Sequence, residues 1–372
     1  MTLVYIGFIL ILIIIVGIIF INTAPQFGAK TTRDSYERNR KSENFKNGKF
    51  RDIEKTETMT KTDRSSLLKF FIKGETVPNC TIPVVKSSFT EENALTAENN
   101  VKVTWFGHSA ILLEMNNRRI FFDPMLGKVP APLPGFVSRR FNEELPMEIE
   151  DIPELDAVLV SHDHYDHLDY WSIRMLKDRV KKFYVPLGVA EHLKFWGVDE
   201  SKIVELDWWD EVKFEELEIT CTPSRHFSGR GLTNRDSTLW CSWIVKAENA
   251  NIFFSGDTGY SDAFKIIGNK FGPFDLTLLE CGQYNEGWAE IHMMPEQTVQ
   301  AHIDLKGEIL MPIHWGAFKL SIHPWQEPVE RLLAEADFQK VKVTTPMIGE
   351  PVILGKTVPA TRWWEKINNE KP

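Results

Sequence analysis

Ser161 to Asp169 reads SHDHYDHLD. The run before it, Ala157 to Val160 (AVLV), is short and wholly apolar, and reads as a strand feeding a loop. Four potential metal ligands, His162, His164, Asp166 and His167, then fall within six residues. Imidazole nitrogen and carboxylate oxygen both suit zinc. A tight loop can aim His162 and His164 at one metal and Asp166 and His167 at a second. One loop cannot surround two ions, so further ligands must come from elsewhere in the chain.

Three candidates stand where such ligands are wanted. His226 follows LEITC in TPSRHFSG, Asp257 follows NIFF in SGDTGY, and His314 follows EILM in PIHWGAF. Each comes just after an apolar run, where a sheet edge presents side chains to a shared crevice. A lone histidine is more often a satisfied core residue, so the weight rests on the set.

Around these positions the texture is of short β-rich runs: VKVTWF, AILLEM, RRIFFD, DAVLVS, KFYVP, KIVEL, LEITC, WCSWIV, LTLLE and EILMPI. Helical stretches fall between some of them, notably Pro295 to Leu305 and Gln326 to Ala336. This pattern predicts sheets packed face to face with helices outside. The Pro-rich stretch from Lys128 to Pro146 reads as a long loop, a kind that is often functional.

The chain has 372 residues and a formal net charge of −9, which argues against a nucleic-acid partner. Cys80, Cys221, Cys241 and Cys281 form no CxxC pair and read as free, buried thiols. Leu3 to Ala24 (LVYIGFILILIIIVGIIFINTA) carries no charge and is long enough to span a bilayer. Nothing basic precedes it, as a cleaved signal would require. Lys30, Arg33, Arg38, Arg40, Lys41, Lys46, Lys49 and Arg51 follow it, so the positive-inside rule predicts a single-pass anchor with the C-terminal part in the cytoplasm. Residues 29–66, rich in Ser, Asn, Glu and Lys, read as a solvated, disordered tether that can also lie on anionic headgroups. Ser66 to Lys73 (SLLKFFIK) suits a helix at the membrane surface or one packed on the domain. The expected division is an anchor over 1–24, a basic tether and lead-in over 25–99, and a metal-binding domain over 100–372.

With these motifs in order, the chain resembles the metallo-β-lactamase superfamily, through its HxHxDH loop and later His, Asp and His. It is most similar to the N-acylphosphatidylethanolamine-hydrolysing phospholipase D branch and its bacterial relatives. The matching pieces are VTWFGHSAILLEM, FFDP, SHDHYDHLDY, VPLG, ELDWWDE, TPSRHFSGR, LWCSWIV, FFSGDTGY, FGPFDL and IHWGAF. The resemblance implies an α/β fold, the αββα sandwich, here preceded by a transmembrane helix. It implies two Zn2+ ions with a bridging hydroxide. His162, His164 and His226 would hold one, Asp166, His167 and His314 the other, and Asp257 both. It places Asp166 in the catalytic set and His292 near the substrate phosphate, as a catalytic and substrate-binding residue. Arg139 and Arg140 can hold an anionic headgroup.

Of the remaining residues, His108, His192 and His302 read as structural. His323 can line the mouth, and Asp207 with Trp208 and Trp209 reads as core. The expected activity is hydrolysis of N-acylphosphatidylethanolamine or a related phospholipid to phosphatidic acid and an N-acylethanolamine-type alcohol. The alternatives are a lactonase or small phosphate-ester hydrolase of the same superfamily, and a metal-binding scaffold. The expected partners are the membrane phospholipid and the lipid bilayer, with a homodimer left open.

Overall fold

The computed structural model describes residues 2–59, 76–87, 101–133 and 139–369. Ser66 to Lys73 lies outside the described residues. The chain opens with helix α1 (Thr2–Thr23). From Tyr5 to Phe20 its residues are apolar all round, the composition of a membrane span or of a helix in a large core. Among the described residues it is the one helix long and apolar enough, by length and composition, to cross a membrane.

Past a short turn at Pro25–Phe27, helix α2 (Arg33–Asn39) begins at Thr32, whose hydroxyl accepts from Ser35 N. The hairpin β1 (Phe45–Lys46) and β2 (Lys49–Phe50) follows. Its turn is Asn47-Gly48, both at positive φ, the pair that a tight hairpin favours. Of the stretch read as a disordered tether, residues 29–59 are therefore folded onto the domain, and 60–66 lie outside the described residues. Phe50 is fully buried and its N–H donates to Asp236 O at 2.8 Å. Arg38 reaches Glu191 at 3.3 Å and Glu205 at 3.0 Å. A few specific groups fasten the segment, and its polar composition hides them.

Two seven-stranded sheets carry the rest. The first runs in the order β16 (Pro351–Ile353), β3 (Lys102–Trp105), β4 (Ile111–Met115), β5 (Arg118–Phe122), β6 (Leu155–Leu159), β7 (Val180–Pro186) and β8 (Ile203–Leu206). The second runs β15 (Lys342–Val343), β14 (Gly307–Ile313), β13 (Phe274–Glu280), β12 (Ala250–Phe254), β11 (Ser242–Ala247), β10 (Leu217–Thr222) and β9 (Glu211–Phe214). In each sheet one half pairs antiparallel and the other half parallel.

The inner faces meet in one apolar core, where Phe122 stacks on Phe254 with ring centroids 4.7 Å apart. The outer face of the first sheet buries Phe121, Val158 and Phe183 under helices α3 (Tyr170–Leu176) and α4 (Ala190–Phe195). On the other side lie α5 (Ala263–Lys270), α6 (Pro295–Asp304) and α7 (Glu327–Gln339), with α6 against β13 and β14. Covering both sheets on both faces explains the continuous apolar runs where alternation would mark a half-exposed sheet. The architecture is an αββα sandwich. Parallel strands point their C-terminal ends the same way, and in such sheets the crevice beyond those ends is where sites form.

Candidate metal centre

Each ligand candidate stands just beyond a strand end. His162, His164, Asp166 and His167 follow β6, His226 follows β10, Asp257 follows β12, and His314 is the first residue past β14. Backbone conformations that side-chain-bearing residues rarely adopt turn the chain there. His314 has φ 65°, and Asp123, just past β5, has φ 42°. Such strain concentrates at functional sites. Gly256, at φ 58°, makes room for the loop, because a Cβ there would lie 2.6 Å from Ser161 Cβ.

Three overlapping groups of facing ligand atoms result among the described residues, and two of them gather the predicted ligands. In the first, His164 Nδ1 is 2.9 Å from His162 Nε2 and 3.2 Å from His226 Nε2. In the second, Asp166 Oδ2 is 3.5 Å from His167 Nε2 and 3.3 Å from His314 Nε2. Asp257 joins them. Its Oδ2 lies 3.8 Å from both His162 Nε2 and His226 Nε2, while Oδ1 lies 3.1 Å from His167 Nε2 and 3.2 Å from His314 Nε2. One carboxylate thus offers an oxygen to each cluster. Ligands about 2.0–2.1 Å from one zinc stand roughly 3.3 Å apart in a tetrahedron, so these spacings fit a cation at each centre. Two of the facing atoms, His167 Nε2 and Asp257 Oδ1, are buried without a hydrogen-bond partner, which a metal would provide.

The electrostatics set the two clusters apart. At the second, burial disfavours the charged rings, but the facing carboxylates outweigh it and hold His167 well above its usual range and His314 up to about 10, whereas the first is held neutral. Burial first, and the neighbouring imidazoles after it, hold His162 well below its usual range, and burial does the same to His226 and lowers His164. Neutral imidazoles keep a lone pair for coordination. Burial opposes ionisation of Asp257 and Asp166, yet the facing histidines outweigh it and hold both carboxyls well below the carboxylate range. Asp123 and Glu280 add two more fully buried acids, so the pocket gathers negative charge that a pair of divalent cations would balance.

A family model described as a β-lactamase superfamily domain matches residues 118–315. The chain belongs to the metallo-β-lactamase superfamily. An uncharacterised protein of Mycobacterium tuberculosis is 43% identical over 291 residues, 77% of each chain. An N-acyl-phosphatidylethanolamine-hydrolyzing phospholipase D of Caenorhabditis elegans is 31% identical over 271 residues, 68% of this chain and 76% of that one. Igni18, a metallo hydrolase of Ignicoccus hospitalis, shares the fold. Its TM-score is 0.52 at 21% identity, covering 69% of this chain and 100% of that one. Membership of this superfamily makes the protein a metal-dependent hydrolase, and its fold implies a dinuclear metal site.

The superfamily chemistry depends on groups behind the ligands, and here the sequence reading missed several. Asp123 Oδ2 accepts from His167 Nδ1 at 2.7 Å and from Ser161 Oγ at 2.6 Å. Ser161 Oγ in turn lies 2.9 Å from His162 Nδ1. His226 Nδ1 donates to Ile291 O at 2.9 Å. Glu280 Oε2 lies 2.9 Å from His292 Nδ1 and 3.4 Å from His314 Nδ1. These partners fix tautomer and ring orientation. Asp123 follows one apolar strand, in FFD, and Glu280 closes another, in LLE, and that was the available signal.

The other candidates land in different places. His292 is half-buried, with its ring 5.1 Å from that of His226 and stacked 5.4 Å from that of His314, over both clusters. His108, read as structural, touches the site: burial lowers its pKa to about 3, so the neutral ring donates through Nε2 to Asp166 Oδ2 at 3.0 Å. His192 is more than a core residue, since it links Ala29 N (2.9 Å) to Asp163 Oδ2 (3.3 Å) in the metal loop. His323 accepts from Gln283 N at 2.9 Å.

Arg140 is a correction. Its guanidinium is buried and donates to the carbonyls of Gly127, Phe106 and Met125, so it braces the loop instead of facing a headgroup. Arg139 beside it is exposed. The four cysteines are free, and Cys221, Cys241 and Cys281 are buried.

Proposed function

We propose that the protein is a zinc-dependent phosphodiesterase of phospholipase D type, hydrolysing N-acylphosphatidylethanolamine or a related membrane phospholipid to phosphatidic acid and an N-acylethanolamine-type alcohol. One observation carries the reading: the ligand loop of the two joined clusters is packed against the exit of the apolar helix. Tyr165, between the ligands His164 and Asp166, meets Phe27 edge to face at 6.4 Å, and Phe27 meets Phe20 of α1 at 5.7 Å. The likeness to the Caenorhabditis elegans phospholipase supports the substrate class.

The residues take the following roles. His162, His164 and His226 hold one ion, Asp166, His167 and His314 the other, and Asp257 both. When bound, the zinc pair supplies Lewis acidity toward a phosphoryl oxygen and lowers the pKa of water toward neutrality. Asp166, braced by His108, doubles as ligand and catalytic residue. Hydrolysis puts the hydroxyl of water on phosphorus, breaks the bond from phosphorus to the ethanolamine oxygen, and leaves that oxygen needing a proton. His292 is the group to deliver it. Its Nδ1 is held by Glu280 Oε2 at 2.9 Å, which orients the ring and leaves Nε2 as the nitrogen for proton delivery. Arg139 is available to the headgroup.

The basic residues after α1 support a cytoplasmic side for the domain by the positive-inside rule. A C-terminal reporter fusion should behave as cytoplasmic, and activity of an export-only reporter would reverse the orientation without touching the site. The activity is tested by incubating metal-loaded protein with a phospholipid panel and reading products by mass spectrometry. Phosphatidic acid should form, and His162→Ala or Asp166→Asn should abolish it. Opening of a sugar-phosphate lactone with every glycerophospholipid left intact would replace this reading with the lactonase one.

A further inference from the structure

The residues that leave α1 are gripped by the domain, and exposed apolar side chains stand beside the gripping residues in the chain. Trp196 Nε1 donates to Pro25 O at 2.8 Å. Arg230 donates to Gln26 O through Nε at 3.1 Å and Nη2 at 2.8 Å, and Gln26 Nε2 donates to Pro132 O at 3.1 Å. Gly28, at φ 76°, lies so close to His192 that a Cβ would stand 2.3 Å from the ring.

One or two residues from each of these contacts stands a large apolar side chain facing water. Phe195 precedes Trp196, Leu133 follows Pro132, and Leu232 follows Arg230 by two. Trp171 belongs with them, because it packs on Tyr170, which packs on Trp196. Leu232 is 85% exposed and Trp171 64%. A soluble surface rarely gathers such residues without something to cover them. Arg174, one turn along α3, lies over the Tyr170 ring, and Lys30 and Arg33 are exposed just past the exit. Tryptophan beside basic groups is the composition of a membrane interface.

We propose that this collar, Leu133, Trp171, Phe195 and Leu232, is a second bilayer contact that dips into the headgroup boundary around α1. The occupant is the lipid surface and no other protein, because the collar is continuous with the end of a helix that itself requires hydrocarbon. α1 is then no loose leash. It and the collar together fix the domain's tilt, and the metal loop, through Tyr165 on Phe27, is held at the membrane. The inference rests on the membrane reading of α1 and not on the identity of the substrate.

The test uses the full chain in vesicles. Leu232→Cys and Phe195→Cys are each made in a Cys80→Ser background, since the other three cysteines are buried, and labelled with an environment-sensitive fluorophore. Phe338→Cys is the control: it is 79% exposed on α7, in the opposite helical layer. Labels at 232 and 195 should be quenched by lipid carrying a nitroxide high on the acyl chain, with iodide quenching severalfold weaker than at 338. Iodide access at 232 and 195 equal to that at 338, in protein that floats with the vesicles, would overturn the collar alone. Protein that fails to float would overturn the collar and the anchor together. The outcome is independent of turnover, so an inert enzyme with shielded labels would sink only the phospholipase reading.

Discussion

His167 Nδ1 donates to Asp123 Oδ2 at 2.7 Å, and both side chains are fully buried. The bond occupies Nδ1 and turns Nε2, the nitrogen that would meet a metal, toward Asp166 and Asp257. Asp123 also accepts from Ser161 N at 2.7 Å, so one carboxylate sets both the ring and the start of the metal loop. Asp123→Ala should weaken metal binding at the His167 site by about 10–100-fold, the usual cost of losing such a partner. Competition with a chromogenic chelator measures it. An unchanged affinity would mean that the ligands need no such support.

Asp257 predicts how metal content responds to substitution. The wild type should bind about two equivalents, because seven ligands exceed the four of a single tetrahedral zinc. His226→Ala should lose metal chiefly from one site, whereas Asp257→Ala, removing an oxygen from each cluster, should lower occupancy at both. Elemental analysis at saturating zinc distinguishes them. One equivalent in the wild type, or equal loss in the two variants, would contradict a shared carboxylate.

Arg140 and its neighbour separate bracing from binding. Arg140→Ala leaves three carbonyls without their charged donor and should destabilise the fold by about 3 kcal/mol, given typical hydrogen bonds to charged groups. Arg139→Ala should leave stability unchanged and raise KM for an anionic lipid. Thermal unfolding and steady-state kinetics on the same proteins settle it; equal melting temperatures would remove the bracing role.

His302 gives a pH dependence away from the metals. Burial lowers its pKa from 6.5 to about 4, and its Nδ1 lies 2.7 Å from Thr277 Oγ1. The folded state therefore favours the neutral ring. That contribution is fully present above pH 6.5, the unfolded value, and is lost as pH falls toward 4, a span worth about 3 kcal/mol at 1.36 kcal/mol per unit. His302→Gln, which keeps a partner for the Thr277 hydroxyl, should narrow the gap to wild type as pH drops from 7 to 5. Protonation of the metal ligands affects both proteins and cancels in the difference. A gap independent of pH in urea unfolding would refute the assignment.

The ligands were legible because sequence position and spatial position coincide for them: each stands directly after a strand, and the strands' C-terminal ends converge. The αββα layering was legible for a related reason, since runs such as AILLEM and NIFF must be covered on both faces. Asp123 and Glu280 obey the same placement rule but act through another residue, and nothing in FFDP or LTLLE says which histidine they hold. Arg140 shows what composition cannot supply, because an arginine that caps buried carbonyls and one that meets solvent look alike in sequence. The lead-in is the sharpest case. Its ties to the domain run through the backbone oxygens of Pro25 and Gln26 and through Asp52, whose Oδ1 accepts from Trp240 Nε1 at 2.9 Å, and backbone groups leave no mark on a polarity count.

The central claim is that water attacks phosphorus on the headgroup side of a membrane phospholipid. Vesicles containing N-acylphosphatidylethanolamine are treated with metal-loaded full-length protein in water enriched in oxygen-18, and both products are weighed by mass spectrometry. The account predicts one heavy oxygen in the phosphatidic acid, none in the N-acylethanolamine, and no reaction with Asp257→Ala. Heavy oxygen in the alcohol, or intact lipid after incubation with protein shown to carry two metal equivalents, would contradict it.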